Sequence, residues 1–226
     1  MADSLEAFAV RPLDSRLGAE LALRGITTLA ALTGRSLGDV VTDHRSSYVR
    51  RLNLPALTVF VKTYRYATWR ERLRGVPRTT ALARSRAARE HDALAWLSTH
   101  GFAGPRPLAV FEARQLGFLV TAVLVTQAWP GRDLSELLPD LSARECERCV
   151  AELWHFLEQL HGAGFRDGNF HLRNVLARPL DSGSFEFAKI DSPKFHLVAA
   201  GLRSDRRALC DRAQLSADLA GLPLSP

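Results

Sequence analysis

Leu and Ala recur at helical spacing in LGAELALRG and again in TTLAALTG, so the first 35 residues predict short helices, and these carry no recognisable chemistry. Beyond them the period changes to two. In DVVTDHRSSYVRRLNLPALTVFVKTYRY, Tyr48, Arg50 and Leu52 alternate with Val49, Arg51 and Asn53, Pro55 interrupts, and LTVFVKTY resumes with β-branched and aromatic residues. That pattern predicts an antiparallel meander of about three strands. The basic connector WRERLRGVPRTT leads to a helix expected from near Thr80 to Gly101, and two strand-like runs follow, PRPLAVFEA and LGFLVTAVLVTQAW, with a turn expected at Arg114–Gln115. Pro130 and Gly131 then end the strand pattern, and the chain turns helical through LSELL and a long helix over 142–161. This shift marks a lobe boundary, giving an N-terminal lobe over 1–129 and a mainly helical C-terminal lobe over 130–226. Inside the second lobe NVLARPL and FEFAKID flank DSGS as a hairpin, and LCDRAQLSADLAGL forms a helical tail. No repeat or low-complexity segment interrupts this α+β order.

Composition narrows the classes. A chain of 226 residues with 46% hydrophobic and 24% charged residues buries a substantial core and lies far from disorder. No apolar run approaches the roughly 18 residues of a membrane-spanning helix. The acidic start MADSLEAFAV lacks the basic flank of a signal peptide, so a cytoplasmic location is expected. The net charge of +6 favours an anionic partner such as phospholipid headgroups or a phosphorylated sugar. Nucleic acid is not expected, because the arginines are scattered without a stacking motif. Cys146 and Cys149 form a CxxC, but they share a helical stripe with Val150, Leu153, Leu157 and Leu160, and no second ligand pair exists, which predicts packed core thiols. Of 30 basic residues only Lys62, Lys189 and Lys194 are lysines, so a lysine in an apolar strand invites a reason.

Lys62 lies in VFVKTY on the face shared by Phe60 and Tyr64. An ammonium between aromatics on a strand face is costly unless it is paired or held at a wet edge. The helix expected over 80–99 offers a partner, since Ala83, Ala87, Glu90, Leu94 and Leu97 fall on one stripe. A strand lysine paired to a helix glutamate holds the phosphates of ATP in protein kinases. Snorkelling of Lys62 with a local Arg86–Glu90 pair is the bland alternative. Asp191 ends the strand in FEFAKID, and Asn174 begins the other hairpin arm, so two oxygen donors stand at the ends of paired strands, where they suit Mg²⁺ with phosphates and water completing an octahedron.

The order Lys62, Glu90, LHGAGFRDGNFHLRNVL and Asp191 resembles the lipopolysaccharide kinase family, the bacterial Kdo and heptose kinases that share the protein-kinase fold. The resemblance runs from RGITTLAAL through IDSPK: VFVKTYRY is similar to the lysine strand, SRAAREHDALAWL to the glutamate helix, and GPRPLAV to the strand after it. It implies a two-lobed protein-kinase-like fold, with a small antiparallel sheet lobe bearing one key helix and a mainly helical C-terminal lobe. It also implies ATP and Mg²⁺ as cofactors and a sugar hydroxyl of lipopolysaccharide core or a related glycolipid as acceptor. Peripheral contact with the anionic inner face of the cytoplasmic membrane suits the basic charge. In this picture Lys62 orients the phosphates, Glu90 holds Lys62, and Asn174 and Asp191 bind the metal.

Two departures stand out. The kinase pattern H-R-D-L-x-x-x-N puts the catalytic Asp five residues before the metal-binding Asn, and five before Asn174 stands Asn169. Asn169 orients a hydroxyl but cannot take its proton, which leaves three readings: a slow kinase, one using Asp167 as a substitute carboxylate, or a nucleotide-binding pseudokinase serving as a regulatory or binding module. The phosphate-covering loop, TDHRSSY, has no glycine, so Ser46, Ser47 and Arg45 are the phosphate-binding candidates there. His161 is expected to pack or hydrogen-bond at its helix end, His171 either packs or serves near the transferred phosphate, and Asp218 reads more readily as a solvent-facing helical carboxylate than as a brace for the loop.

Overall fold

The computed structural model describes residues 4–44, 46–66, 84–202 and 204–222. The chain divides into two compact units, Met1–Ala95 with Pro105–Ala128, and Trp96–Gly104 with Trp129–Pro226. The expected cut after residue 129 misses one exchange: residues 96–104 go with the second unit. Trp96 packs there on Phe165 with ring centroids 5.3 Å apart, and Phe102 meets Phe156 edge-on at 6.1 Å.

The first unit is a six-stranded antiparallel sheet built from β1 (Ala9–Arg11), β2 (Asp39–Asp43), β3 (Ser47–Asn53), β4 (Thr58–Arg65), β5 (Pro107–Gln115) and β6 (Phe118–Gln127), in the order β1-β5-β6-β4-β3-β2. Alternation gives the sheet two apolar faces. One is covered by α1 (Ser15–Leu23) and α2 (Leu29–Leu32), where Leu17, Leu21, Ile26, Leu29 and Leu32 pack with Leu52, Val59, Val61, Phe111, Val123 and Val125. The helical lead-in therefore has a structural task that its sequence did not declare. The other face takes α3 (Arg86–Thr99), whose Ala87, Ala88 and Leu94 pack on Tyr64, Val110, Ala122 and Leu124.

Thr80 and the connector before it lie outside the described residues, as do Ala83 and Arg45. The helix starts at Arg86 and ends at Thr99, with the Ser85 hydroxyl accepting from the Ala88 N–H at 3.0 Å as its cap. The β5–β6 turn falls at Leu116 and Gly117, two residues past the expected position. Both are left-handed, at φ 51° and 81°, a conformation that Gly117 supplies without strain and that lets Gln115 pair directly with Phe118.

The second unit carries α4 (Leu134–Leu137) and the long α5 (Ala143–Gly162), which opens with a reciprocal capping box between Ser142 and Glu145. Cys146 and Cys149 are free and buried on the inner stripe of α5, and burial pushes the Cys149 thiol up to about 12, so it stays a protonated core side chain. The expected hairpin forms as β9 (Val175–Pro179) and β10 (Phe185–Lys189), with β7 (Arg132–Asp133) added beside β9. A second short ladder, β8 (Phe165–Arg166) with β11 (His196–Leu197), was too brief to show in the pattern. Helix α6 (Arg206–Ala220) follows, and among the described residues no helix is long and apolar enough to cross a membrane.

Candidate active site

In the first unit, Lys62 and Glu90 meet as the spacing implied. Lys62 Nζ lies 2.9 Å from Glu90 Oε2 and 3.1 Å from Oε1, and the Tyr64 hydroxyl donates to Oε2 at 2.9 Å. Arg86 does not take Glu90 away; its guanidinium sits 5.4 Å from the Tyr64 ring centroid. The Glu90 side chain is 6% exposed and Lys62 21%, so the glutamate is buried and the lysine side chain only partly so. Opposition of Val49 to Lys62 and of Ser47 to Tyr64 puts Ser47 on the lysine face, while Ser46 stands in the exposed turn and accepts from the Arg65 N–H through its carbonyl.

In the second unit the segment Phe165–Asn174 is held by a set of buried polar groups. Arg166, fully buried, donates to Asp205 at 2.8 Å and to the carbonyls of His161 at 2.9 Å, Phe165 and Leu202. Asp211 of α6 accepts the backbone N–H groups of Asp167 at 3.0 Å and Gly168 at 2.8 Å, and its carboxylate also lies 3.2 Å from His161 Nε2. Gly168 needs its freedom here, at φ 68°. Asp218, expected on the solvent side, instead accepts the Leu172 N–H at 2.9 Å and holds His171 Nδ1 at 3.2 Å. The α6 carboxylates thus brace the loop because they share the inner stripe of the helix with Ala208 and Leu215.

Asp167 is 1% exposed and lies 3.0 Å from the equally buried ammonium of Lys189, the residue that ends β10. Burial pushes the Asp167 carboxyl above the usual aspartate range, and Lys189 pulls against it. Asn169 faces differently. Its Nδ2 donates to the Asp191 carbonyl at 2.9 Å and to the Asp191 carboxylate at 3.1 Å, while Asn174 Nδ2 donates to the Asn169 carbonyl at 3.0 Å. The Ile190 N–H, next to Asp191, donates to the Asn174 carbonyl at 2.9 Å and ties the two arms together. Asp191 adopts φ 55°, an uncommon conformation for a residue with a side chain and one that Asp tolerates better than most.

The chain Asn174–Asn169–Asp191 therefore gathers three of the expected residues in one hydrogen-bonded unit. Asn174 turns its amide nitrogen onto the Asn169 carbonyl, and its amide oxygen is the group that could accept a metal, with the Asp191 carboxylate linked to it through Asn169. Among the described residues no group of three or more His, Cys, Asp or Glu could hold a metal. One amide oxygen and one carboxylate nonetheless suit Mg²⁺, which keeps water and phosphate oxygens in most of its octahedron. Sequence reasoning missed Arg166, Lys189 and Asp211. The Ala208, Asp211, Leu215 spacing was a usable signal for Asp211, because it sets a carboxylate on an apolar stripe.

The family model described as Lipopolysaccharide kinase (Kdo/WaaP) family matches residues 36–218. The chain belongs to the lipopolysaccharide kinase family. Curated protein sequences provide no match. Among solved structures, WaaP in complex with acyl carrier protein superposes with a TM-score of 0.63 at 17% identity, covering 95% of this chain and 83% of that one. The Rio2 kinase-ADP/Mg²⁺-phosphoaspartate complex from Chaetomium thermophilum gives 0.52 at 16% identity, covering 98% and 69%. Both likenesses establish a protein-kinase-like fold for this family member. The family match starts at residue 36 and leaves the helical lead-in outside it.

Proposed function

We propose that the protein is an ATP-dependent kinase that phosphorylates a sugar hydroxyl of lipopolysaccharide core or a related glycolipid. The observation that carries this reading is the Asn174–Asn169–Asp191 unit, which joins two oxygen donors for Mg²⁺ to a carboxamide that can orient an acceptor. Lys62, fixed by Glu90 and Tyr64, supplies the cation for nucleotide phosphates, and Ser47 adds a hydroxyl on the same strand face. When bound, Mg²⁺ neutralises charge on the transferred phosphoryl group. Asn169 orients the acceptor through its amide oxygen while its nitrogen stays on Asp191. Asp167, sealed against Lys189, has no access to a substrate hydroxyl and serves the loop instead. Family membership supports the glycolipid acceptor, and the net charge of +6 supports peripheral contact with an anionic membrane face.

A positioned acid–base group contributes about 10²–10⁴-fold, and phosphoryl transfer relies chiefly on positioning and charge stabilisation, so loss of a proton acceptor at residue 169 leaves a slow enzyme rather than none. The second reading, a pseudokinase that binds nucleotide without turnover, rests on the same Asn169. Thermal shift with ATP and Mg²⁺, followed by phosphate transfer to a lipopolysaccharide-core acceptor, separates them. The expected result is metal-dependent nucleotide binding and slow transfer, both lost in Asp191→Ala and transfer raised in Asn169→Asp. Binding without transfer in the native protein favours the pseudokinase, and absence of nucleotide binding sinks both.

A further inference from the structure

The sheet face opposite Lys62 carries a group of cations that phosphoryl transfer does not use. Across the ladder Asp43 stands opposite Tyr48, Tyr48 opposite Thr63, and Arg65 opposite Thr121, while Arg50 follows two residues along from Tyr48 on the same face. The guanidinium carbons of Arg35, Arg50 and Arg65 lie 5.5, 5.8 and 5.5 Å from the centroid of the Tyr48 ring. Three guanidiniums on one ring repel one another unless anions intervene. Asp43 alone among the described carboxylates reaches them, at 3.1 Å from Arg35 and 3.9 Å from Arg50. Arg50 is only 5% exposed, yet its Nε finds no partner, and neither does the hydroxyl oxygen of Thr63 at 0% exposure. A buried guanidinium with an open donor and an excess of neighbouring cations is short of one anion.

We propose that this cluster binds a phosphate group, as a phosphate ester or a phospholipid headgroup, at a site separate from Lys62. Several oxygen acceptors on one compact anion suit the diverging donors of three arginines better than a single carboxylate does. A cavity of about 320 Å³ lined by Phe8, Thr28, Leu29, Ala30, Thr33 and Thr121 gives room for an organic portion. It adjoins the cluster through two of its walls: the Thr33 carbonyl accepts from the Tyr48 hydroxyl at 2.6 Å, and Thr121 pairs with Arg65. Most of those walls come from the lead-in before residue 36, so the site belongs in part to the segment outside the family match.

Titration calorimetry of the full chain with inorganic phosphate at low ionic strength tests the site directly. Because Arg35 and Arg65 are exposed, the Arg35→Gln/Arg65→Gln double variant keeps the fold, which an unchanged melting curve verifies. The expected result is one saturable phosphate site whose Kd rises about tenfold or more in the double variant and is unchanged in Lys62→Met. Co-sedimentation with phosphatidylcholine vesicles, with and without phosphatidic acid, then separates the sources. Binding that needs phosphatidic acid and is competed by phosphate assigns a headgroup, whereas phosphate binding without vesicle binding assigns a soluble ester. Absence of saturable phosphate binding, its survival in the double variant, or its disappearance in Lys62→Met overturns the proposal.

Discussion

Two of the three lysines in this chain end in the same kind of partnership, an ammonium on a strand facing a carboxylate, and their surroundings give them opposite tasks. Lys62 keeps 21% of its side chain exposed against Glu90, whereas Lys189 and Asp167 are 0% and 1% exposed. A charge pair with one partner partly exposed costs less desolvation than a fully buried one, which holds only because its partners stay paired. Arg166 and Asp211, both fully buried, surround the same loop, so the second unit invests its buried charge in holding backbone. The first unit leaves the Lys62 side chain partly exposed, and the proposed kinase activity draws on that exposure.

The contrast breaks most sharply at the sealed pair. Lys189→Met leaves Asp167 as an uncompensated buried charge and should cost about 3–5 kcal/mol of folding stability, read by urea denaturation. Removing both charges in Lys189→Met/Asp167→Leu should return most of that loss. The penalty also carries a pH signature. A carboxyl with a raised native pKa holds a proton that the unfolded chain has already released, so its stability is full below the ordinary aspartate value and lost as pH climbs through the raised one. Loss of Lys189 lifts that value further, and the Lys189→Met penalty should shrink as pH falls from about 7 to about 5. A penalty that is flat with pH, or a double variant as unstable as the single, would remove the sealed-pair account.

At the open pair the expected effect moves from folding to turnover. Lys62→Met should lower phosphate transfer on the order of 10²–10³-fold, the scale of losing one preorganised electrostatic donor, while the urea midpoint should fall less than in Lys189→Met because Glu90 keeps the Tyr64 hydroxyl. Equal losses of stability in Lys62→Met and Lys189→Met would erase the distinction between the two lysines. The smallest change expected is in Glu90→Gln, where Tyr64 still contacts the amide and Lys62 keeps its charge. Transfer should fall about tenfold there, mostly through a higher KM for ATP, as steady-state kinetics at varied nucleotide can show.

Much of this site was legible because its signals are local. A period of two put Lys62 with Phe60 and Tyr64, a period of 3.6 put Glu90 with Ala87 and Leu94, and a five-residue count from Asn174 reached Asn169. The hairpin arms were equally plain, since β9 and β10 are strand-like runs on either side of a Ser/Gly turn. The roles of Asp167, Asp211 and Asp218 were not. RD in GFRDG looked available for catalysis until Lys189, 22 residues later in sequence, closed on it. Asp211 and Asp218 sit in a polar-looking tail, and only their contacts with loop groups more than 40 residues earlier make them structural.

The amino-acid sequence by itself therefore determined the α+β order, the pairing of Lys62 with Glu90, and the departure at residue 169, because each depends on spacing within one element or one motif. The tertiary structure alone decided which carboxylates are sealed, that the lead-in covers the sheet face opposite Lys62, and that three arginines converge on Tyr48. Those outcomes depend on burial by distant segments, and burial, unlike periodicity, is not written in any single stretch of chain.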